Sequence, residues 1–129
     1  MILLDTHALL WMASDPDRLS KRAREAIRES RQSSEIAIAT ITLWELAWLA
    51  QNGRIVVAGS VESFVRETIA RVVLRPETPE IAALAVRLPE RFPRDPSDRL
   101  IAATAMIEGA ALVTADTRIR QSKVLNTVW

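Results

Sequence analysis

Short, unbroken apolar runs recur along this chain: Met1–Asp5, Glu35–Ala39 and Ala111–Ala115 are each too short for a helix and apolar nearly throughout. A strand that is apolar on both sides must be buried on both sides, the habit of parallel strands covered by helices. Stretches with helical periodicity separate the runs. Thr6–Ser14 is the first, and Asp15-Pro16-Asp17 is a turn. Ser20 caps a helix to Arg31. Thr42–Asn52 is strongly helical with Gly53 at its C′ position. Ser60 caps a helix to Val72, Thr78 with Pro79 opens one to Leu88, and Asp95-Pro96 opens one that stops at Gly109. Val73-Leu74 and Val124–Trp129 read as further strands, and a polar turn follows Asp116. This alternation predicts a three-layer α/β/α sandwich around a mostly parallel sheet, in one domain spanning residues 1–129.

Composition removes many chemistries. The 129 residues include no cysteine, which excludes disulfides, thiol catalysis and Cys-ligated zinc. The single histidine, His7, excludes multi-His metal cages, and the 3 glycines form neither a Walker A loop nor a dinucleotide fingerprint. No apolar run approaches the ~20 residues of a membrane span, and the N-terminus lacks the charged start of a signal peptide, so the expectation is a cytoplasmic protein that does not enter a membrane. Charge is nearly balanced at 17 basic and 16 acidic residues. All but two of the basic residues, Lys21 and Lys123, are arginine, whose planar fork suits phosphate; a GC-rich coding sequence produces the same bias.

The acidic residues carry the chemistry. In open α/β sheets ligands bind beyond the carboxyl ends of the strands. Asp5 and Asp116 end two of the strands, while Glu45 and Asp98 fall in the first turns of helices that begin on that side, with Asp95 at the N-cap before Asp98. Thr42-Leu43-Trp44-Glu45 has the form of a capping box and Asp95-Pro96-Ser97-Asp98 that of an N-cap, so these acids have a structural explanation worth roughly 0.5–1 kcal/mol each. Asp116 has a possible cap role too, whereas a carboxylate ending a buried strand, as at Asp5, has no routine structural task. Carboxylates brought together raise one another's pKa, and a divalent cation removes that penalty. Hard oxygen ligands select Mg²⁺ or Mn²⁺ over Zn²⁺, and such a cation on few carboxylates suits phosphate-ester chemistry with an activated water.

Four segments in order carry a resemblance. Asp5-Thr6-His7-Ala8-Leu9-Leu10-Trp11, Ile41-Thr42-Leu43-Trp44-Glu45-Leu46-Ala47, Asp95-Pro96-Ser97-Asp98-Arg99-Leu100-Ile101-Ala102-Ala103-Thr104-Ala105 and Leu112-Val113-Thr114-Ala115-Asp116 together resemble PIN domains, in particular VapC-type toxins of bacterial toxin–antitoxin pairs. The resemblance implies an α/β/α ribonuclease dependent on Mg²⁺ or Mn²⁺ that leaves 3′-hydroxyl and 5′-phosphate ends. It carries the metal-binding acids to Asp5, Glu45, Asp98 and Asp116, a supporting hydroxyl to Thr114, and an additional acid to Asp95. It also implies a homodimer and a cognate VapB-type antitoxin, which crosses the groove with a C-terminal segment and through which the pair binds promoter DNA. Arg99, beside Asp98, is a candidate for holding backbone phosphates of the RNA.

Other signals have plainer readings. His7 reads as a satisfied helix-start residue, Trp44 and Trp48 as one helix face packed in the core, Trp11 and Trp129 as core or interface, and Arg18–Arg31 as a solvated helix face. Competing functions are a haloacid-dehalogenase-like phosphatase, a receiver-like domain and a non-catalytic PIN-like binding module. The first needs an acid two residues after Asp5, where His7 stands, and the second needs an Asp after Ile38-Ala39, where Thr40 stands.

Overall fold

The computed structural model describes residues 1–33 and 35–129. Among them are five strands: β1 (Ile2–Leu4), β2 (Ile36–Ala39), β3 (Val73–Arg75), β4 (Ala111–Val113) and β5 (Thr127–Val128). The helices are α1 (Thr6–Ser14), α2 (Lys21–Ser33), α3 (Ile41–Gln51), α4 (Val61–Thr68), α5 (Pro79–Arg87), α6 (Pro96–Ile107) and α7 (Thr117–Ser122), with a 3₁₀ turn at Pro16–Arg18. The strands form one sheet in the order β3-β2-β1-β4-β5, and every pairing is parallel. β1 is central, with Ile2 in register with Ile36 on one side and Ala111 on the other.

Alternation along the strands builds two cores. Ile2, Leu4, Ile36, Ile38 and Val113 face a layer that includes Leu9, Leu19, Ile27 and Leu46 from α1, the following turn, α2 and α3. Leu3, Ala37, Ala39 and Leu112 face the opposite layer, with Phe92, Ile101, Ala102, Ala105 and Ile119. The apolar runs are continuous because each residue is buried on one side or the other. The expected three-layer, parallel α/β sandwich is therefore the observed fold.

Several boundaries differ from expectation. α4 stops at Thr68 instead of Val72, where the Thr68 hydroxyl turns back to the Phe64 carbonyl at 2.7 Å. The polar turn after Asp116 is the helix α7, and the last strand contracts to Thr127–Val128. Gly53 and Gly109 follow α3 and α6 with φ of +67°, the left-handed conformation that a glycine adopts without strain.

The predicted capping box at α3 is not formed. The helix begins at Ile41 after Thr40, which is already helical (φ −54°, ψ −41°) and makes no side-chain cap, and Thr42 is fully buried. Trp44 and Trp48 are also not core residues: they are 59% and 40% exposed, with ring centroids 6.5 Å apart. Trp11 and Trp129 are half-buried against each other, with centroids at 5.7 Å. The charged side chains of α2 lie exposed, as expected of a solvated face.

Candidate active site

The strand order creates the site. From central β1 the chain builds outward to β2 and β3, then returns to lay β4 and β5 on the other side. The segments leaving β1 and β4 diverge, opening a crevice at the carboxyl ends of the strands, the usual ligand position of doubly wound sheets. Asp5 follows β1 and Asp116 follows β4. The starts of α3 and α6 bring Glu45 and Asp98 to the same crevice. Asp5, Glu45, Asp95, Asp98 and Asp116 line one cavity of about 530 Å³ together with Thr6, His7, Trp11 and Arg18. A larger cavity of about 670 Å³ between α5 and α6 is mostly apolar and holds none of these acids; Pro96 and Arg99 of α6 line it.

Three of the acids double as helix caps. Asp5 Oδ1 accepts from the Ala8 amide at 2.8 Å, Asp95 Oδ1 from Ser97 at 2.9 Å and Asp116 Oδ1 from Ile119 at 3.0 Å. Asp5 therefore has the structural task that its position after a buried strand was expected to lack. Capping fixes where each carboxylate sits, because one oxygen is anchored to a helix start. Glu45 is held differently: the Thr6 hydroxyl donates to its Oε1 at 2.6 Å, and the Thr42 hydroxyl lies 3.2 Å from that of Thr6. Thr6 was not singled out in the sequence, although its place directly after Asp5 was the available signal. Thr114 is fully buried beneath the site and accepts from the Asp116 amide at 3.1 Å, so it fixes the turn that carries Asp116.

The acids face one another without compensation. Among the described residues, none of the five forms an ion pair with lysine or arginine. Burial pushes the Asp98 carboxyl up to about 7, reinforced by Asp95, Asp116, Glu45 and Asp5. Burial also raises Asp5, against the Thr114 hydroxyl, the Ala8 amide and His7, and Asp116 adds to the rise. Glu45 is raised by burial against the Thr6 hydrogen bond, with Asp95 and Asp5 contributing repulsion. Three half-buried carboxylates, Asp5, Glu45 and Asp98, beside the exposed Asp95 and Asp116, with no soft donor among them, fit a hard divalent cation. Among the described residues the side chains converge without closing into a preassembled group of three or more ligands. Mg²⁺ keeps several waters and needs few direct ligands.

Arg99 does not face this cavity as a free phosphate ligand. Its guanidinium donates to the carbonyls of Pro93, Ala85 and Leu88 at 3.0–3.1 Å and lies 3.5 Å from that of Phe92. It ties α5 and the loop before α6 together. His7 is exposed, with its ring 5.8 Å from that of Trp11.

Clustered acids at the switch point of a short parallel sheet define a class of α/β domain, and the PIN domain family matches residues 2–124. The chain belongs to that family. It is 44% identical over 130 residues to ribonuclease VapC22 of Mycobacterium tuberculosis, covering 99% of this chain and 98% of that one, which places it among VapC-type proteins. Its fold is shared with the crystal structure of VapBC2 from Rickettsia felis bound to a DNA fragment from their promoter (TM-score 0.74, 19% identity, 98% of this chain and 97% of that one). It is also shared with VapBC-1 from nontypeable Haemophilus influenzae (TM-score 0.69, 21% identity, 98% and 96%). No helix among the described residues is long and apolar enough to cross a membrane.

Proposed function

We propose that this protein is an endoribonuclease dependent on Mg²⁺ or Mn²⁺, the toxin of a VapBC-type pair, and that Asp5, Glu45, Asp98 and Asp116 are its working acids. The observation that carries the reading is that these four side chains, from distant parts of the sequence, line one cavity and, among the described residues, form no ion pair with lysine or arginine. The 44% identical relative is named a ribonuclease, which supports RNA as the substrate. A bound divalent cation would polarise a phosphoryl oxygen and acidify an attacking water.

The protein groups divide the remaining work. Asp5, Asp98 and Asp116 supply the oxygen ligands; the caps of Asp5 and Asp116 commit one oxygen each and leave the other available. Glu45, steadied by Thr6, orients the water for in-line attack. Asp95 deepens the negative field, and Thr114 keeps the Asp116 turn in place. The products carry 3′-hydroxyl and 5′-phosphate ends. A cognate VapB-type antitoxin silences the enzyme and joins it on promoter DNA, in keeping with the names of the structurally similar complexes, and the toxin works as a homodimer in the cytoplasm.

The decisive variant is Asp5→Asn. Asparagine caps a helix about as well as aspartate, so α1 keeps its start while the charge is lost. Cleavage of a mixed RNA pool in Mg²⁺ should fall about 10³-fold, since loss of several kcal/mol of metal-borne stabilisation costs a factor of ten per 1.36 kcal/mol. EDTA should abolish wild-type cleavage and added Mg²⁺ or Mn²⁺ restore it. Undiminished cleavage by folded Asp5→Asn protein contradicts the assignment.

A further inference from the structure

A second cavity of about 470 Å³ adjoins the acidic one, and the two share His7, Trp11 and Arg18 as a common wall. Its chemistry is the reverse of its neighbour's. Arg18 and Arg54 both line it, and among the described residues neither forms an ion pair with a carboxylate. Each guanidinium instead lies over an indole: Arg18 at 4.7 Å from the Trp11 ring centroid, Arg54 at 5.6 Å from that of Trp48. Stacking of this kind holds the cation in place while leaving its N–H donors free for an anion. Leu49, Ile55 and Phe64 supply the apolar part of its lining. One acid, Asp15, sits on the exposed rim.

Placed end to end, the cavities form a single groove. Its acidic half would carry the scissile phosphate on a cation, and its basic, aromatic half is one or two turns further along α1, from Asp5 past His7 to Trp11. We infer that this second cavity is a nucleotide subsite for single-stranded RNA: the base of a nucleotide next to the cut lies against Trp11 and the apolar wall, and Arg18 and Arg54 hold its phosphate. The inference rests on the nuclease reading above. The half-buried Trp11 ring stacked with Arg18, and guanidinium groups without an ion pair, in continuity with the acid cavity, favour an unpaired polynucleotide, because an unstacked base can lie against such an arginine–indole pair and every nucleotide carries a phosphate. Duplex RNA exposes its phosphates but keeps its bases stacked on each other, so it offers no free base to such a pocket.

The test compares wild type, Arg54→Gln and Arg18→Gln/Arg54→Gln, substitutions at exposed positions whose folding is checked by circular dichroism. Steady-state cleavage of a single-stranded oligomer in Mg²⁺ should show KM raised about tenfold by Arg54→Gln and more by the double change, with kcat falling less than KM rises. The slope of log affinity against log salt should drop by about one per arginine removed. A 5-iodouridine oligomer should crosslink on irradiation to the peptide containing Trp11. Wild-type protein that cuts RNA while the double variant keeps the same KM and salt slope overturns the subsite alone and assigns the groove to a protein partner. Crosslinks confined to Trp44 and Trp48 overturn it likewise. Wild-type protein that neither binds nor cuts RNA overturns the nuclease reading and the subsite with it.

Discussion

Asp98 and Arg99 are neighbours in the first turn of α6, both half-buried, and their surroundings are opposites. The guanidinium of Arg99 is enclosed by backbone carbonyls that would otherwise lack donors. The carboxylate of Asp98 faces four other carboxylates and is held up near pH 7. One charge is spent on holding the scaffold; the other is left in want of a ligand. A buried charge with complete partners reports on folding, whereas one left without partners marks the place where the molecule expects something from outside.

Exchanging each side chain probes that contrast. Asp98→Asn should cut RNA cleavage about 10³-fold while leaving the metal-free protein as stable as wild type or a few degrees more so, measured by thermal melting at pH 8. Arg99→Met keeps the apolar stem but strands the carbonyls of Pro93, Ala85 and Leu88. A loss of about 2–4 kcal/mol in urea unfolding is expected, and a loss under 1 kcal/mol would mean that the loop before α6 holds itself. Thr6→Val leaves Glu45 in the cavity without its 2.6 Å donor, and cleavage should fall about 10–100-fold, the usual cost of losing a group that orients a ligand.

The smallest effect is the pH dependence of metal-free stability. The folded-state pKa of Asp98 is raised from 3.8 to about 7, so over that window the folded protein binds the proton more tightly than the unfolded chain. Stability therefore falls as pH rises from about 4 to about 7, and Asp5 and Glu45, raised for the same reason, act in the same direction. Melting temperature in EDTA should drop by a few degrees between pH 5 and pH 8, and by less in Asp98→Asn. A wild-type profile parallel to that of the variant would remove Asp98 from the set of strained acids.

Much of the fold was legible because its strands are apolar on both sides, a signal that local sequence carries without help. α7 was not, since its six residues make under two turns and bury only Ile119 and Ser122, too little for a period to register. The extent of β5 depends on the tertiary Val113–Val128 pairing, while α4 ends where the Thr68 hydroxyl turns back to the Phe64 carbonyl. The convergence of Asp5, Glu45, Asp98 and Asp116 followed from placing each at the same end of a parallel sheet. Side-chain direction did not follow: Asp98 and Arg99 are adjacent in sequence, and only the carbonyls contributed by α5 and its following loop turn Arg99 away from the acids. The same limit applies to α3, where Thr42-x-x-Glu45 has the letters of a cap, yet Glu45 answers to Thr6 on another helix.

β1 lies at the middle of the sheet, yet its β4 neighbour is synthesised more than a hundred residues later, with Ile2 opposite Ala111. Until that strand leaves the ribosome, the first strand has one bare edge and the crevice lacks the wall that bears Asp116. An N-terminal fragment that stops before Asp116 lacks one of the acids, so the crevice is complete only once β4 and the turn after it have joined β1.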